Sequence, residues 1–233
     1  MWTNGDLKLR GKTAMKANYW PTVAVSLILS FASAGAAGGT AGSKGSQAGE
    51  EIANSFSGLD SESIVALVLV VFGIIMAVAI VMGLIRVFVL NPLEVGCQGY
   101  FIANSKGYGD IGELKTGFNP WMRNVAALFF RDLFIILWSL LFVIPGIVKG
   151  YSYRMVPYIL AENPEIGAMD AITLSRKMMN GNKMKAFMLD LSFIGWTLLA
   201  CLTCGLLFIF YVQPYYNCTC AELYNALKTE RAE

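Results

Sequence analysis

The sequence predicts an all-α, polytopic membrane bundle. Six transmembrane helices are paired as three hairpins, each hairpin preceded by a cytoplasmic amphipathic interfacial helix. Three observations lead there. Of the 233 residues 56% are apolar and only 15% charged, against about 25% charged in soluble domains, and the mean hydropathy is +0.55. The apolar residues gather into six runs, at 19–38, 63–90, 125–144, 147–160, 186–203 and 206–218. Lys and Arg concentrate between alternate runs.

The first element is a basic stretch at 6–17 with Lys8, Arg10, Lys12 and Lys16, which places the N-terminus in the cytoplasm. The run that follows ends in Ala32-Ser33-Ala34, a small-residue pattern like a signal-peptide cleavage site. It is read as a retained membrane helix, with a cleavable signal as the alternative. Residues 39–62 are rich in Gly, Ala and Ser and hold Lys44 against Glu50, Glu51, Asp60 and Glu62; this reads as a flexible outer loop.

The two later pairs of runs decide the topology. A crossing needs about 20 apolar residues, and reading 125–148 and 186–212 as one span each gives four in all. The connection 149–185 would then lie outside, with Lys149, Arg154, Arg176, Lys177, Lys183 and Lys185, against the positive-inside rule. Six spans remove the conflict. Pro145-Gly146 and Cys204-Gly205 become tight outer turns, and both termini, 105–124 and 162–185 fall inside.

The cytoplasmic segments carry helix punctuation. Asn163-Pro164-Glu165 opens a helix and Asn180-Gly181 stops it. Ala168, Ala171, Ile172, Ser175, Met178 and Met179 share one face, expected in the headgroup layer, with Lys12, Lys16, Arg176, Lys177, Lys183 and Lys185 against anionic lipid. Asp110-Ile111-Gly112-Glu113 is a capping-box variant opening a shorter counterpart.

Layout and short motifs suggest three repeats, about 1–104, 105–162 and 163–233, within one integral membrane domain, 1–233. Asp132-Leu133 and Trp138-Ser139-Leu140-Leu141 match Asp190-Leu191 and Trp196-Thr197-Leu198-Leu199 at a constant offset. The entries Tyr19-Trp20-Pro21, Asn119-Pro120-Trp121 and Asn182-Lys183-Met184 precede the hairpins, and Pro92, Pro157 and Pro214 each sit in a second helix.

A proline inside a helix frees the carbonyl four residues earlier, here those of Phe88, Tyr153 and Phe210, and in lipid each must find another partner. The same helices carry most of the membrane-depth polar groups. Arg86, Asn91, Tyr153, Arg154 and Gln213, with Asp132 and Asp190 from the first helices, are the ligand or pathway candidates. In the plainer reading these groups satisfy one another in a packed bundle, and the two aspartates serve as helix N-terminal charges rather than proton or ion carriers.

Catalytic and cofactor classes find no support. The chain lacks His, the commonest general base and metal ligand. A net charge of +2 without a basic domain argues against nucleic acid. Cys201-x-x-Cys204 and Cys218-x-Cys220 have zinc-like spacing, but the six-span layout separates the pairs by about 20 Å along a helix. No metal, no cofactor and no catalytic residue is expected. The redox state of Cys201 and Cys204 stays open.

Ile144-Pro145-Gly146-Ile147, Tyr151-Ser152-Tyr153, Pro157-Tyr158-Ile159-Leu160-Ala161-Glu162-Asn163-Pro164, the Leu174-Ser175-Arg176-Lys177-Met178-Met179 stretch and Leu189–Trp196 together resemble a family of bacterial integral membrane proteins known as domain of unknown function 975. The chain is similar, more distantly, to the membrane domain fused to some glycerophosphodiester phosphodiesterases. The resemblance implies a six-helix protein of the bacterial cytoplasmic membrane, with a link to lipids or the envelope, and carries over no activity or catalytic residue. The expected function is to bind or translocate a small or lipidic molecule through a polar, tyrosine-rich centre. The alternative is a non-catalytic, oligomeric membrane scaffold acting through the cationic interfacial helices. Membrane lipids are the expected partners, and homo-oligomerisation is compatible with both readings.

Overall fold

The computed structural model describes residues 2–34, 61–203 and 205–232; most of the expected outer loop and Cys204 lie outside them. Among the described residues the chain is helical without strands. In order come α1 (Asn4–Ala17), α2 (Tyr19–Ala34), α3 (Ser61–Ile85), a π-helical turn (Arg86–Leu90), α4 (Asn91–Ser105) and a 3-10 segment (Ile111–Phe118). Then follow α5 (Trp121–Leu141), α6 (Val143–Tyr153), α7 (Val156–Glu162), α8 (Ala168–Met178), α9 (Lys183–Leu202), a second π-helical turn (Phe208–Val212) and α10 (Gln213–Ala232).

By length and composition three stretches are able to cross a membrane: Val65–Ser105, Trp121–Leu141 and Lys183–Leu202, with Tyr19–Ser30 a shorter apolar helix. The remaining expected spans are interrupted. The chain turns at Arg154-Met155 between α6 and α7, and the run before Pro214 is π-helical. Each interruption has the same cause. Pro92, Pro157 and Pro214 lack the N–H that would continue the ladder, and the chain relieves the ring clash with a wide or broken turn immediately before.

The same three prolines mark a change of surroundings. Before Pro92, the apolar side chains of α3 from Val65 to Ile85 are exposed almost throughout; after it, ten residues of α4 are buried. Ile144 and Ile147 are exposed, whereas Met155 through Leu160 are buried; Leu206 and Phe210 are exposed, whereas Tyr215 and Cys218 are buried. The helical segments that follow the prolines therefore supply a large share of the core, which α1, α2, α5, α8 and α9 complete. Within each second helix it is the part beyond the proline, and not the whole helix, that faces inward. α3 is the most exposed element, and the inward part of that unit lies beyond Pro92, in α4.

The amphipathic segments pack on those buried halves. α1 starts at Thr3, whose hydroxyl accepts from the Asp6 N–H at 3.2 Å, and its buried face of Leu7, Gly11, Ala14 and Met15 runs along α10. A Cβ at Gly11 would lie 2.6 Å from the Thr219 hydroxyl and 2.8 Å from its backbone nitrogen, so the two backbones touch. The 3-10 segment lies on α4 in the same way: a Cβ at Gly96 would strike the Leu114 carbonyl, and one at Gly117 the Pro92 carbonyl. α8 packs against α7, with Ala171, Ile172, Ser175 and Met178 buried. Two expectations change. The apolar face of α8 is covered by protein rather than by the headgroup layer, because α7 and α5 offer it an apolar surface without leaving the fold. The second amphipathic segment is 3-10, its Gly112 and Gly117 being poor α-helix formers.

Candidate functional site

The carbonyls freed by the prolines are the first polar groups to account for. The Trp121 indole N–H donates to the Phe88 carbonyl at 2.9 Å, and the Tyr19 hydroxyl donates to the Phe210 carbonyl, also at 2.9 Å. At the middle break Ser175, fully buried on α8, accepts from the Met155 N–H at 3.2 Å and donates to the Ser152 carbonyl at 2.9 Å. The first residue of another helix at two of the breaks, and a residue within α8 at the third, thus repair the broken turns.

Two ion-pair networks stand beside these breaks. In the first, Arg131 on α5 grips both Glu94 oxygens of α4 at 2.6 and 3.2 Å and bonds its neighbour Asp132 at 2.8 Å. Arg86 reaches the other Asp132 oxygen at 3.7 Å. In the second, Arg154 holds Asp190 of α9 through two bonds of 2.9 and 3.0 Å. Asp190 also accepts from Tyr151 at 2.8 Å and from Tyr216 at 2.9 Å. Arg154 further donates to the Tyr216 hydroxyl at 2.6 Å and to the Cys220 sulfur at 3.0 Å. Paired guanidinium–carboxylate bonds of this length are the stronger, geometrically specific kind.

Between the networks lies a cavity of about 260 Å³, walled by Glu94, Gln98, Arg131, Asp132, Tyr153, Arg154, Tyr158, Tyr216 and Asn217. Gln98 is 7% exposed, and its buried Oε1 has no hydrogen-bond partner. Asn217 donates to Ser26 at 3.2 Å. The three arginines and the three carboxylates of the networks balance, so the cavity offers paired polarity without a net charge.

Of the residues singled out by sequence, Asp132, Tyr153 and Arg154 line this cavity. Arg86 and Asp190 stand one contact behind it. Asn91 is buried elsewhere, its side-chain nitrogen without a partner. Gln213 is half-buried and does not line the cavity; Asn217, one turn later, does. Glu94, Gln98 and Tyr216, polar residues of the same second helices, and Arg131, the neighbour of Asp132, complete the cavity wall beyond the chosen candidates. The i, i+4 spacing of Glu94 and Gln98 after Pro92 was the available signal. Of the expected lipid contacts, Lys12, Lys16, Arg176 and Lys177 are exposed, and Lys183 and Lys185 half-buried.

Below the cavity a second polar knot joins the ends of three core helices. Glu162 accepts from Lys106 at 2.9 Å, Lys228 at 2.9 Å and Tyr224 at 2.7 Å. Burial by itself would raise the Glu162 carboxyl, but the bonds from Lys228, Lys106 and Tyr224 outweigh it and hold the pKa at about 2. The bond to Glu162 raises the Lys106 ammonium. Burial, and then the same carboxylate, push the Tyr224 hydroxyl upward.

Residues 51–231 match the family described as protein of unknown function DUF975. The chain belongs to that family. DUF975 membership spans all the elements from α3 onward, so the cavity and both ion-pair networks lie within the matched region. No curated protein and no solved structure matches the chain.

Proposed function

We propose that this DUF975 protein is a non-enzymatic protein of the bacterial cytoplasmic membrane that binds or translocates a small, neutral or zwitterionic polar molecule, or one lipid headgroup, in the central cavity. The observation that carries this is the cavity itself. It is a 260 Å³ space, near the lower end of ligand-site sizes of about 300–1,000 Å³. Charge-balanced pairs wall it, and Gln98 presents a buried acceptor without a donor, so a ligand bringing N–H or O–H groups is favoured.

The proposal includes six crossings in three hairpins, with both termini in the cytoplasm and three related units. Three crossings, at Val65–Ser105, Trp121–Leu141 and Lys183–Leu202, would leave Lys106 and Glu162 on opposite sides of the bilayer, yet they form an ion pair of 2.9 Å. Six crossings keep both at one end, with α10 and its Lys228. The fold-back of α5 on α6 supports a hairpin: a Cβ at Gly146 would meet Ser139, and Phe134 stands 6.4 Å from Tyr153, ring to ring. Phe193 of α9 faces Tyr215 of α10, and Trp196 faces Tyr211 of the preceding π-helical turn, in the same antiparallel sense.

Native mass spectrometry of the protein in mild detergent tests the binding reading. A small molecule or lipid retained at fixed stoichiometry, and lost in Arg154→Leu with helicity unchanged, is the expected result. Identical spectra for wild type and variant, with only exchangeable bulk lipid, would remove it. The scaffold reading draws on one observation, the exposure of Arg176 and Lys177 away from any carboxylate among the described residues. It requires that Arg176→Glu with Lys177→Glu impair function while Arg154→Leu does not.

A further inference from the structure

A second pocket lies on the opposite side of the α6–α8 contact from the central cavity. Its volume is about 320 Å³, and its walls are Lys149, Ser152, Thr173, Arg176, Lys177, Asn180 and Lys183. Four of these seven are cations and none is an acid. By comparison, Arg86, Lys106, Arg131, Arg154 and Lys228 each hold a carboxylate within 4 Å. Among the described residues, none of the four pocket cations does.

The fold holds this arrangement in place. Gly181, at φ +80, makes the tight reversal between α8 and α9 that returns Lys183 beside Arg176. Lys149 comes from α6, and its ammonium rests over the Trp138 ring, 4.6 Å from the centroid, a cation–π contact that orients the side chain without neutralising it. Ser175 at the root of the pocket binds the Ser152 carbonyl and the Met155 N–H, locking α8 against the break between α6 and α7. Like charges converging on one concavity repel, and an anion carrying more than one charge, or several acceptor oxygens, relieves that repulsion. Arg176 supplies a planar fork suited to two oxygens, the lysines supply point charges, and Thr173 and Asn180 add neutral donors.

We propose that this pocket binds a phosphoryl group, either on a lipid headgroup or on a soluble phosphate ester. In the six-span topology Arg176, Lys177, Asn180 and Lys183 lie between α8 and α9 on the cytoplasmic side, where anionic headgroups and cytosolic phosphates both have access, and Lys149 and Ser152 reach them from within the 147–160 crossing. The site is separate from the central cavity and does not depend on what that cavity holds.

The test uses the full chain, delipidated in detergent, and the variant Arg176→Gln with Lys183→Gln. Inorganic phosphate and sn-glycerol 3-phosphate are titrated by calorimetry against chloride at equal ionic strength. Phosphatidylglycerol and diacylglycerol are added separately and counted by native mass spectrometry. One phosphoryl equivalent is expected per chain, weakened about tenfold or more in the double variant, since charge-assisted bonds of this kind contribute on that scale. A difference confined to the soluble phosphates supports the proposal with a soluble ligand. A difference confined to phosphatidylglycerol supports it with a lipid. Equal binding by wild type and variant for every probe, or diacylglycerol retained as well as phosphatidylglycerol, overturns it. Lys149→Gln, on a different helix, repeats the comparison should the double variant lose helicity.

Discussion

The Trp121 and Tyr19 side chains have a task that composition alone would assign to the membrane interface, where such rings are common. Each also donates one hydrogen bond to a carbonyl that a proline has released. Trp121→Phe keeps most of the ring contact with Phe88, whose centroid is 5.7 Å away, but leaves the carbonyl without its donor. A loss of about 1–3 kcal/mol is expected, read as a lower unfolding midpoint in a denaturant titration in detergent, and Tyr19→Phe should behave alike. Glu162 gives a pH signature. Its pKa falls from the ordinary 4.5 to about 2 in the fold, so the unfolded chain takes up the proton first as pH drops. The stabilisation from its three bonds is thus fully present above pH 4.5 and is lost as pH falls toward 2. Glu162→Gln should be less stable at neutral pH and should flatten the pH dependence of the unfolding midpoint across that window. A variant curve parallel to the wild type would remove the carboxylate from the account.

Among the elements, several close approaches depend on having no side chain. Gly11 meets Thr219 and Gly96 meets Leu114 at backbone contact, so α1 and the 3-10 segment approach their partners as closely as helices can. Gly96→Val forces the 3-10 segment away from α4, at a cost of about 1–3 kcal/mol for overpacking. Faster proteolysis within 106–120 is the expected readout; unchanged cleavage would mean the segment had room to spare. The helices themselves were legible, because apolar runs, caps and prolines are local signals, and so was the need for new partners at the Phe88 and Phe210 carbonyls. Which partner each found was not, since Trp121 and Phe88, like Tyr19 and Phe210, meet only through packing between distant segments. The same limit explains why Glu94, Gln98 and Arg131 were not among the chosen candidates. The i, i+4 spacing of Glu94 and Gln98 marks a shared face, but the cavity that gives them importance is walled by five helices and forms only through packing. α8 misled in another way: its amphipathic pattern is real, but a pattern does not distinguish lipid from protein as the apolar neighbour.

At the scale of the whole molecule, the packing closes on itself. The 3-10 segment, which opens the second unit, lies on α4 of the first; α8, which opens the third, lies on α7 of the second; α1, which opens the first, lies on α10 of the third. The repair of the broken turns follows the same order, with Trp121 serving the first unit, Ser175 the second and Tyr19 the third. The three related units proposed above would form a ring that accounts for this order, and in a bilayer that ring requires every amphipathic segment on one side. Cysteine accessibility in intact cells tests that requirement. In a cysteine-free background, Lys115→Cys, Asn180→Cys and Thr229→Cys replace exposed positions, one beside each core helix end, and Lys44→Cys reports on the first connection. A membrane-impermeant maleimide should label only Lys44→Cys, and the other three only after permeabilisation. With the N-terminus inside, three crossings would instead expose Lys115→Cys and Thr229→Cys to the outside while hiding Asn180→Cys, and four crossings would expose Asn180→Cys. Either of those patterns would break the ring, because the side chains that join Lys106, Glu162 and Lys228 would then have to meet across the bilayer.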